Sequence, residues 1–362
     1  MKLQIKTELL KDMVTKAVKG ASQNKLVPLT GMMAIQLANN KLVLHTTDMT
    51  NHLYIRQDKV IGEDFYVTVS VDQFSKLIGR LTCENVTMEL KDSSLEIKGN
   101  GTYNLELPLD ENGTLVKFPD PYSSKSMPMP VTKQIELSTI QAVLNTAKAS
   151  LATTTEIPCY TGYYVGNKIV TTDTYKICGM NIPMFDEPVL ISPEMMNLLE
   201  VMTSEKIDVS INDKEIAFVT PDCVVYGYLM EDIDEFSIDA ISNVLETDFD
   251  SVCKISKSAI LGTLDRIALF VGTYDNKAIR LNFTPQGIDI SSKQTSGIET
   301  VDYTESSNFK PFTGFIDIDM LTVQLKAYTG DIVELHYGND QFISLVNGNT
   351  TQVIALLEDD AE

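Results

Sequence analysis

The sequence predicts an α+β fold made of three tandem copies of one unit, each with antiparallel sheets on one side and two helices on the other. Two observations carry this prediction. A strand-like segment leads into an amphipathic helix three times along the chain, and a second helix and an alternating hairpin follow each time at a nearly constant distance. The predicted domains are residues 1–120, 131–245 and 250–362.

The two helices of each unit are predicted from apolar residues spaced three or four positions apart, the period of an amphipathic helix. The six predicted helical stretches are residues 7–19, 70–81, 138–149, 192–204, 256–270 and 317–328. Ser138 and Ser256 are expected to cap their helices, because a serine hydroxyl can accept a hydrogen bond from a free N–H at a helix start. Asp317 and Asp319 lie where the helix dipole favours carboxylates.

A hairpin is predicted after each second helix, because apolar and polar residues alternate on both sides of a turn. The turns are Asp92-Ser93, Asn212-Asp213 and Gly338-Asn339. Between the units, residues 118–130 are rich in proline and are predicted to be extended. Residues 231–250 contain eight acidic and no basic residues, which predicts a solvated connection.

The sequence contains no signal of an enzyme. It lacks the glycine-rich phosphate loops and the nucleophile motifs, and its three histidines, His45, His52 and His336, do not stand at metal-binding spacing. Thr47-Asp48 and Thr172-Asp173 lie at equivalent points of two units, which favours a repeated turn role over carboxylate chemistry. We therefore predict no catalytic residue, no cofactor and no metal site.

Composition favours a cytoplasmic globular protein with no membrane association. The chain has 362 residues, of which 43% are hydrophobic, and no apolar run approaches the roughly 18 residues that a membrane span needs. Its five cysteines include no C-x-x-C pair, which indicates reduced thiols. The net charge of −21 argues against a chain that binds nucleic acid over its whole surface, so any basic footprint must be local.

The helical stretches provide such a local footprint, because together they are near neutral while strands and loops hold the acidity. Their cations are Lys11, Lys16, Lys19, Lys76, Arg80, Lys148, Lys257, Arg266 and Lys326. The alternative is that these are ordinary solvated residues of helix surfaces. If the six helices surround a common centre, the same cations form a weak lining that contacts phosphates without reading base sequence.

Four segments give the chain a resemblance to a known family. They are LVPLTGMMAIQLANNKLVLHTTDMTNHLYI (26–55), FYVTVSVDQFSKLIGRL (65–81), VTMELKDSSLEIKGNGTYNLELPL (86–109) and VTTDTYKICGMNIP (170–183). In order and spacing they resemble the bacterial-type DNA sliding clamp, the beta subunit of DNA polymerase III. The departures described below suit a divergent or phage-encoded member.

The resemblance implies a fold and a function. Two three-domain subunits would join head to tail into a closed ring, with sheets outside and helices inside, so that each chain forms half of the ring. Such a homodimer encircles duplex DNA of any sequence, tethers the replicative DNA polymerase and is opened by a clamp-loader ATPase, without catalysis or a cofactor. The alternative is a clamp-fold scaffold or decoy that no longer loads on DNA, which the net charge and the acidic helix with Glu194 and Glu200 would suit.

The resemblance also assigns individual residues. Lys25 and Thr154 fall at positions where the family contacts DNA. Leu269 and Phe270 match the apolar pair at the subunit interface, and Tyr103 matches the aromatic residue that meets this pair.

The partner-peptide pocket is where this sequence departs from the family. The family's Thr-Asp-Gly-His-Arg-Leu is replaced at residues 172–177, and the chain ends in an acidic tail. The pocket residues that the resemblance implies are Tyr160, Thr172, Thr174, Tyr175, Lys176, Ile177, Ile241, Val353, Ala355, Leu356 and Leu357. The acidic end predicts that acidic docking peptides are disfavoured.

Overall fold

The computed structural model describes residues 1–358 except 23–25, 111, 124–128, 155, 273–276 and 294–295. Within this described chain the fold is α+β, as predicted, and every strand pairing is antiparallel. The chain divides into two compact units: unit 1 is Met1–Ile140 with Glu194–Leu229, and unit 2 is Gln141–Pro193 with Met230–Glu362. This division does not test the three predicted domain ranges, which stay a prediction.

Each of the six predicted helical stretches contains an α-helix. The helices are α1 (Thr7–Ala17), α2 (Val71–Arg80), α3 (Leu137–Thr146), α4 (Pro193–Leu198), α5 (Ile238–Leu245), α6 (Lys257–Ile267) and α7 (Ile318–Ala327). The amphipathic reading is confirmed in α1, where Leu10, Met13 and Val14 are buried on one face. Helix α5 was not predicted.

The three predicted hairpins are also present, as β6–β7, β14–β15 and β22–β23. The strands are β1 (Lys2–Lys6), β2 (Met32–Ala38), β3 (Lys41–Thr47), β4 (Asn51–Asp58), β5 (Phe65–Ser70), β6 (Asn85–Leu90), β7 (Ser94–Lys98), β8 (Thr102–Glu106), β9 (Lys133–Glu136), β10 (Tyr163–Val165), β11 (Ile169–Thr172), β12 (Lys176–Met180), β13 (Val189–Ile191), β14 (Lys206–Ile211), β15 (Glu215–Val219), β16 (Cys223–Tyr228), β17 (Ser251–Ser256), β18 (Ala278–Phe283), β19 (Gly287–Ser292), β20 (Ile298–Ser307), β21 (Phe312–Asp317), β22 (Ile332–Tyr337), β23 (Phe342–Asn347) and β24 (Thr350–Ala355).

Unit 1 contains two sheets. One has four strands in the order β1-β6-β7-β8, and the other has eight in the order β5-β2-β3-β4-β16-β15-β14-β9. Helices α1 and α2 pack against each other, and α1 also packs on β3 and β4. Phe74 and Ile78 of α2 are fully buried, which is how the apolar stripe of that helix is removed from water.

Unit 2 contains one sheet of twelve strands, in the order β13-β10-β11-β12-β24-β23-β22-β17-β20-β19-β18-β21. Helices α6 and α7 pack against each other. Their buried faces meet a core in which the rings of Phe283 and Tyr337 stack with centroids 3.9 Å apart.

The two Thr-Asp pairs have the same turn role, as predicted. The Oδ1 of Asp48 accepts hydrogen bonds from the backbone N–H of Thr50 and Asn51, and the Oδ1 of Asp173 accepts from Tyr175 and Lys176. These side chains replace backbone partners that the chain loses where it reverses between two strands.

The capping predictions have mixed outcomes. Ser256 caps α6, because its hydroxyl accepts a hydrogen bond from the N–H of Ala259, and Asp317 caps α7 by accepting from Asp319 and Met320. The prediction for Ser138 is wrong: α3 begins at Leu137, so the serine lies inside the first turn.

The acidic stretch 231–250 is not a plain solvated connection. It contains a short 3₁₀ helix, Ile233–Glu235, followed by α5. Phe236 and Ile241 are buried, because apolar residues at helical spacing give this segment one face that packs on the sheet of unit 2.

Candidate functional site

Two pairs of neighbouring strands are equivalent to each other in the repeated fold. In unit 1, β4 pairs with β16 and places Asn51 opposite Gly227. In unit 2, β12 pairs with β24 and places Lys176 opposite Ile354. We call them the first junction, β4·β16, and the second junction, β12·β24.

Backbone hydrogen bonds identify the third set of equivalent strands. The N–H of Asp48 donates to the carbonyl of Asn51 (3.3 Å) and that of Asp173 to Lys176 (3.2 Å), each where the chain enters the first strand of a junction. The N–H of Ser292 donates in the same way to Gly297 (3.2 Å), just before β20. Strand β20 is therefore the third equivalent of β4 and β12.

The second strand of each junction is followed by a characteristic backbone hydrogen bond. Leu229 donates to the carbonyl of Lys214 after β16, and Leu356 donates to Gln341 after β24. After β8 the same hydrogen bond runs from Leu107 to Ser93. Strand β8 is therefore the third equivalent of β16 and β24.

These third equivalents have open edges. Within the described parts of the chain, strand β8 pairs only with β7 and ends its sheet. The beginning of β20 (298–302) pairs with β19 on one side, and among the described residues no strand pairs with its other side. An open edge presents unpaired N–H and C=O groups to a further strand.

An apolar pair lies beside the edge of β20. Leu269 and Phe270, the predicted interface pair, end a 3₁₀ helix after α6 and are 81% and 52% exposed. The Phe270 ring lies against Gly297, where a β-carbon would come within 2.9 Å of Phe270 Cδ2. The Glu299 carboxylate is held by Arg266 Nη2 at 2.6 Å.

A groove lies beside the edge of β8, in unit 1. It has a volume of about 430 Å³ and runs between α2 and the sheet. Its lining residues are Asp72, Gln73, Lys76, Leu77, Arg80, Leu81, Asn100 and Tyr103. Tyr103, the residue predicted to meet an apolar pair, is 37% exposed in its wall.

Four of the predicted pocket residues meet in one cluster at the second junction. Tyr160, Ile177, Ile241 and Val353 pack together, and we call the group around them the junction cluster. Its buried members are Cys159, Tyr160, Tyr164, Val170, Ile177, Leu190, Phe236, Ile241 and Val353. The Phe236 ring meets Tyr160 edge-on at 5.2 Å and stacks on Tyr164 at 4.9 Å.

The remaining predicted pocket residues have different surroundings. Thr172 is buried, whereas Thr174 and Tyr175 are exposed in the turn beside the cluster, with Tyr175 58% exposed. Lys176 forms an ion pair with Asp173. Ala355 ends β24, and its N–H donates to the Tyr175 carbonyl at 2.8 Å.

Leu356 and Leu357 do not join the junction cluster. Leu356 packs on the other core of unit 2, and the N–H of Leu357 donates to the carbonyl of Phe315 at 2.8 Å. Strand alternation places Leu356 on the face of Ile354, opposite to Val353, which accounts for its position in the other core.

Several of the cations predicted to meet DNA have partners within the protein. Lys16 pairs with Asp12, Lys76 with Asp72, and Arg266 with Glu299. Lys257 Nζ donates to the carbonyls of Lys326 (3.2 Å) and Tyr328 (2.5 Å) at the end of α7, which is a helix-capping contact. The exposed members of the set are Lys19, Lys76, Arg80, Lys148, Thr154, Arg266 and Lys326; Lys11 is half-buried, and Lys25 lies outside the described residues.

The first junction holds a histidine pair that sequence reasoning missed. His45 and His52 are buried, and His45 Nε2 lies 3.0 Å from His52 Nδ1 in a hydrogen bond. The His45 ring stacks on Tyr54 at 4.1 Å, and the Tyr54 hydroxyl donates to Asp120 at 2.9 Å. Burial lowers the pKa of His45 to about 3 and that of His52 to about 4, so both rings are neutral.

Two negative findings concern the described part of the chain. It holds no group of three or more histidine, cysteine, aspartate or glutamate side chains arranged to bind a metal ion. Nor does it contain a helix that is long and apolar enough to span a membrane.

Residues 1–112 match the family model described as the N-terminal domain of the DNA polymerase III beta subunit. Among curated proteins, none matches the sequence significantly.

Solved structures match over the whole chain. The DNA polymerase sliding clamp of Bacillus subtilis is 16% identical with a TM-score of 0.81, and 99% of each chain is covered. A putative DNA polymerase III beta subunit of Eubacterium rectale is 19% identical with a TM-score of 0.83 and full coverage of both chains. The DNA polymerase III beta subunit of Borrelia burgdorferi is 13% identical with a TM-score of 0.85, and the match covers 99% of this chain and 100% of that chain.

Proposed function

We propose that this chain, which has the fold of the bacterial DNA polymerase III beta sliding clamps, is a processivity factor: two copies close head to tail into a ring around duplex DNA. The supporting observation is its two unlike open edges, β8 and the beginning of β20. The two junctions within the chain join equivalents of these strands. Pairing β20 of one copy with β8 of another repeats the same junction, and a head-to-tail contact of this kind can close a ring.

The internal equivalence also fixes the register of the proposed contact. Asn51 lies opposite Gly227 in the first junction and Lys176 opposite Ile354 in the second. The equivalent positions are Gly297 and Leu105. Two copies should therefore pair with Gly297 opposite Leu105, Ile298 opposite Asn104 and Glu299 opposite Tyr103.

Side chains beside the two edges are complementary. Leu269 and Phe270 expose apolar surface next to β20, and the groove beside β8 offers Leu77, Leu81 and Tyr103. Burying such surface on association is favourable. The groove also contains Arg80, and the β20 side carries Asp265. Lys76 and Glu299 are already paired with Asp72 and Arg266 within the chain.

In the proposed ring the helices face the duplex, and their exposed cations meet phosphates in a sequence-independent way. Because Lys16, Lys76 and Arg266 are partly neutralised by carboxylates, these contacts are weak, which suits sliding. A clamp-loader ATPase opens the ring in the cytoplasm. A replicative polymerase docks through a linear peptide on the junction cluster, and the clamp itself catalyses no reaction.

A cysteine pair tests the ring contact. We expect Asn104→Cys with Ile298→Cys to give a disulfide-linked dimer on oxidation, because the register places these residues opposite each other. The matched control is Tyr103→Cys with Ile298→Cys, whose side chains should point to opposite faces and fail to link.

Separately, Leu269→Asp with Phe270→Asp should halve the mass measured by light scattering. An unchanged mass would remove this interface from the proposal.

DNA topology tests the function. The loaded protein should stay on circular DNA and leave once the circle is cut, since a closed ring is lost only from an end. Retention that persists after cutting would favour the scaffold or decoy with simple phosphate binding instead.

A further inference from the structure

The surface around the junction cluster is strongly acidic. Residues 231–250 contain eight acidic residues and no basic ones. Four of these carboxylates border the cluster and are exposed: Asp232, Asp234, Glu235 and Asp239. They precede or begin α5. Phe236, just before this helix, and Ile241 within it are buried members of the cluster. The acidic rim and the apolar centre are therefore parts of one surface.

The charges lie close enough to act on the cluster. Burial raises the pKa of the Cys159 thiol, and the negative charges of Glu235 and Asp232 raise it further. Burial likewise raises the pKa of Tyr164, and Asp239 adds to this effect. A ligand on the cluster would meet the same negative potential.

Nearby basic residues do not offset this potential. The Lys176 ammonium is paired with Asp173, and its side chain is largely buried. Lys168 Nζ donates to Ser242 Oγ at 2.5 Å and so packs against α5. The carboxylates of the rim outnumber these two cations.

Apolar surface is available beside the acidic rim. Tyr175 is 58% exposed and Ile157 is 40% exposed, and Ile233 and Ile238 are half-buried against the cluster. An apolar side chain of a peptide can pack on this surface while its neighbours reach the carboxylates. The open face of Tyr175 can also receive a cation.

From this charge complementarity we infer that the peptide docking on the junction cluster carries lysine or arginine beside its apolar anchor. The inference rests on the proposed docking role of unit 2. Opposite charges across the surface favour a basic peptide and repel an acidic one, so the rim decides which partner is held.

Three matched synthetic peptides test the inference on the full-length protein. They share one Phe-Leu anchor and differ only in four flanking residues, which are Lys, Gln or Glu. Fluorescence anisotropy should show the Lys peptide binding about tenfold tighter than the Gln peptide at low salt, and the Glu peptide binding weakest. The differences should shrink at 0.5 M salt, because exposed charges are screened.

Rim variants locate the effect. Asp232→Asn with Glu235→Gln and Asp239→Asn should bring the Lys peptide close to the Gln peptide without changing affinity for the Gln peptide. The matched control, Asp213→Asn, removes an exposed carboxylate at a turn of unit 1 and should leave all affinities unchanged.

The outcomes separate this inference from the ring. Equal affinity for the three peptides, or preference for the Glu peptide, overturns it. Binding of none of them by a protein that remains a dimer on circular DNA overturns docking at this cluster and leaves the ring standing. Loss of the dimer with the peptide preference intact overturns the ring alone.

Discussion

The two junctions share a backbone arrangement and differ in what covers it. Each position of the first junction has an equivalent 125 residues later, in the second junction. His45 corresponds to Val170, His52 to Ile177 and Tyr54 to Gly179. The first junction is filled by its own aromatic and imidazole rings, whereas the second is apolar.

The cover of each junction follows from this difference. At the first, the segment 116–123 lies over the sheet, tied by the Tyr54–Asp120 hydrogen bond and by Thr68 Oγ1 donating to Val116. At the second, Gly179 has no side chain and Leu245 of α5 occupies the space, where a β-carbon would lie 2.6 Å from Leu245 Cδ1. One junction is closed by polar contacts, and the other is covered by apolar residues of α5, beside the proposed docking surface.

The largest effect is expected from replacing Gly179 of the second junction by tyrosine, the residue at the equivalent position of the first junction. Gly179→Tyr would drive a ring into Leu245 and displace α5, lowering the free energy of unfolding by about 3 kcal/mol. Urea denaturation measures the loss, and hydrogen exchange should show α5 unprotected. The control is Gly79→Ala on α2, where a β-carbon meets nothing within 4 Å and stability should hold or rise slightly. If the Gly179→Tyr variant is as stable as the wild type, the missing side chain at residue 179 is not what allows α5 to pack there.

A second effect is expected from pH, and only at the first junction. Unfolded histidines take up protons near pH 6.5, while the folded pair stays neutral to about pH 4, so the unfolded state binds more protons and stability falls as pH falls. Between pH 7 and pH 5 we expect a loss of roughly 2 kcal/mol for each histidine. Asp48 and Asp120, which face the pair, oppose the loss by favouring the protonated rings.

Importing the residues of the second junction should remove this dependence. His45→Val with His52→Ile is expected to give unfolding midpoints that are flat between pH 7 and pH 5. A slope equal to that of the wild type would assign the acid sensitivity to other groups.

The smallest effect concerns the cover of the first junction. Tyr54→Phe removes the hydroxyl that donates to Asp120 and should cost about 1 kcal/mol, with faster hydrogen exchange in residues 116–123. Tyr103→Phe serves as the control, because the Tyr103 hydroxyl has no hydrogen-bond partner among the described residues. Equal stability of the two variants would show that packing alone holds the segment.

Periodic features of this molecule were predictable from the sequence. Apolar spacing located the six helices, and alternation located the hairpins, because both reflect which face of an element is buried. The equivalence of Thr47-Asp48 and Thr172-Asp173 was also readable, since a side chain that caps a turn acts over two or three residues.

What depends on register or on distant partners was not predictable. His45 and His52 meet only because β3 and β4 pair with Thr47 opposite His52. Helix α5 was not predicted, because the acidic residues around it indicated a solvated connection, although Ile238, Ile241 and Leu245 stand at helical spacing. The capping role of Lys257 depends on the end of α7, far away in sequence.

The open edges of β8 and β20 have a consequence for assembly in solution. If copies pair through these two unlike edges as proposed, each added copy would present a new edge of the other kind, and growth would stop only when the rotation per copy brings the last edge back to the first. A substitution that alters this rotation by a few degrees would yield helical filaments that lengthen with protein concentration.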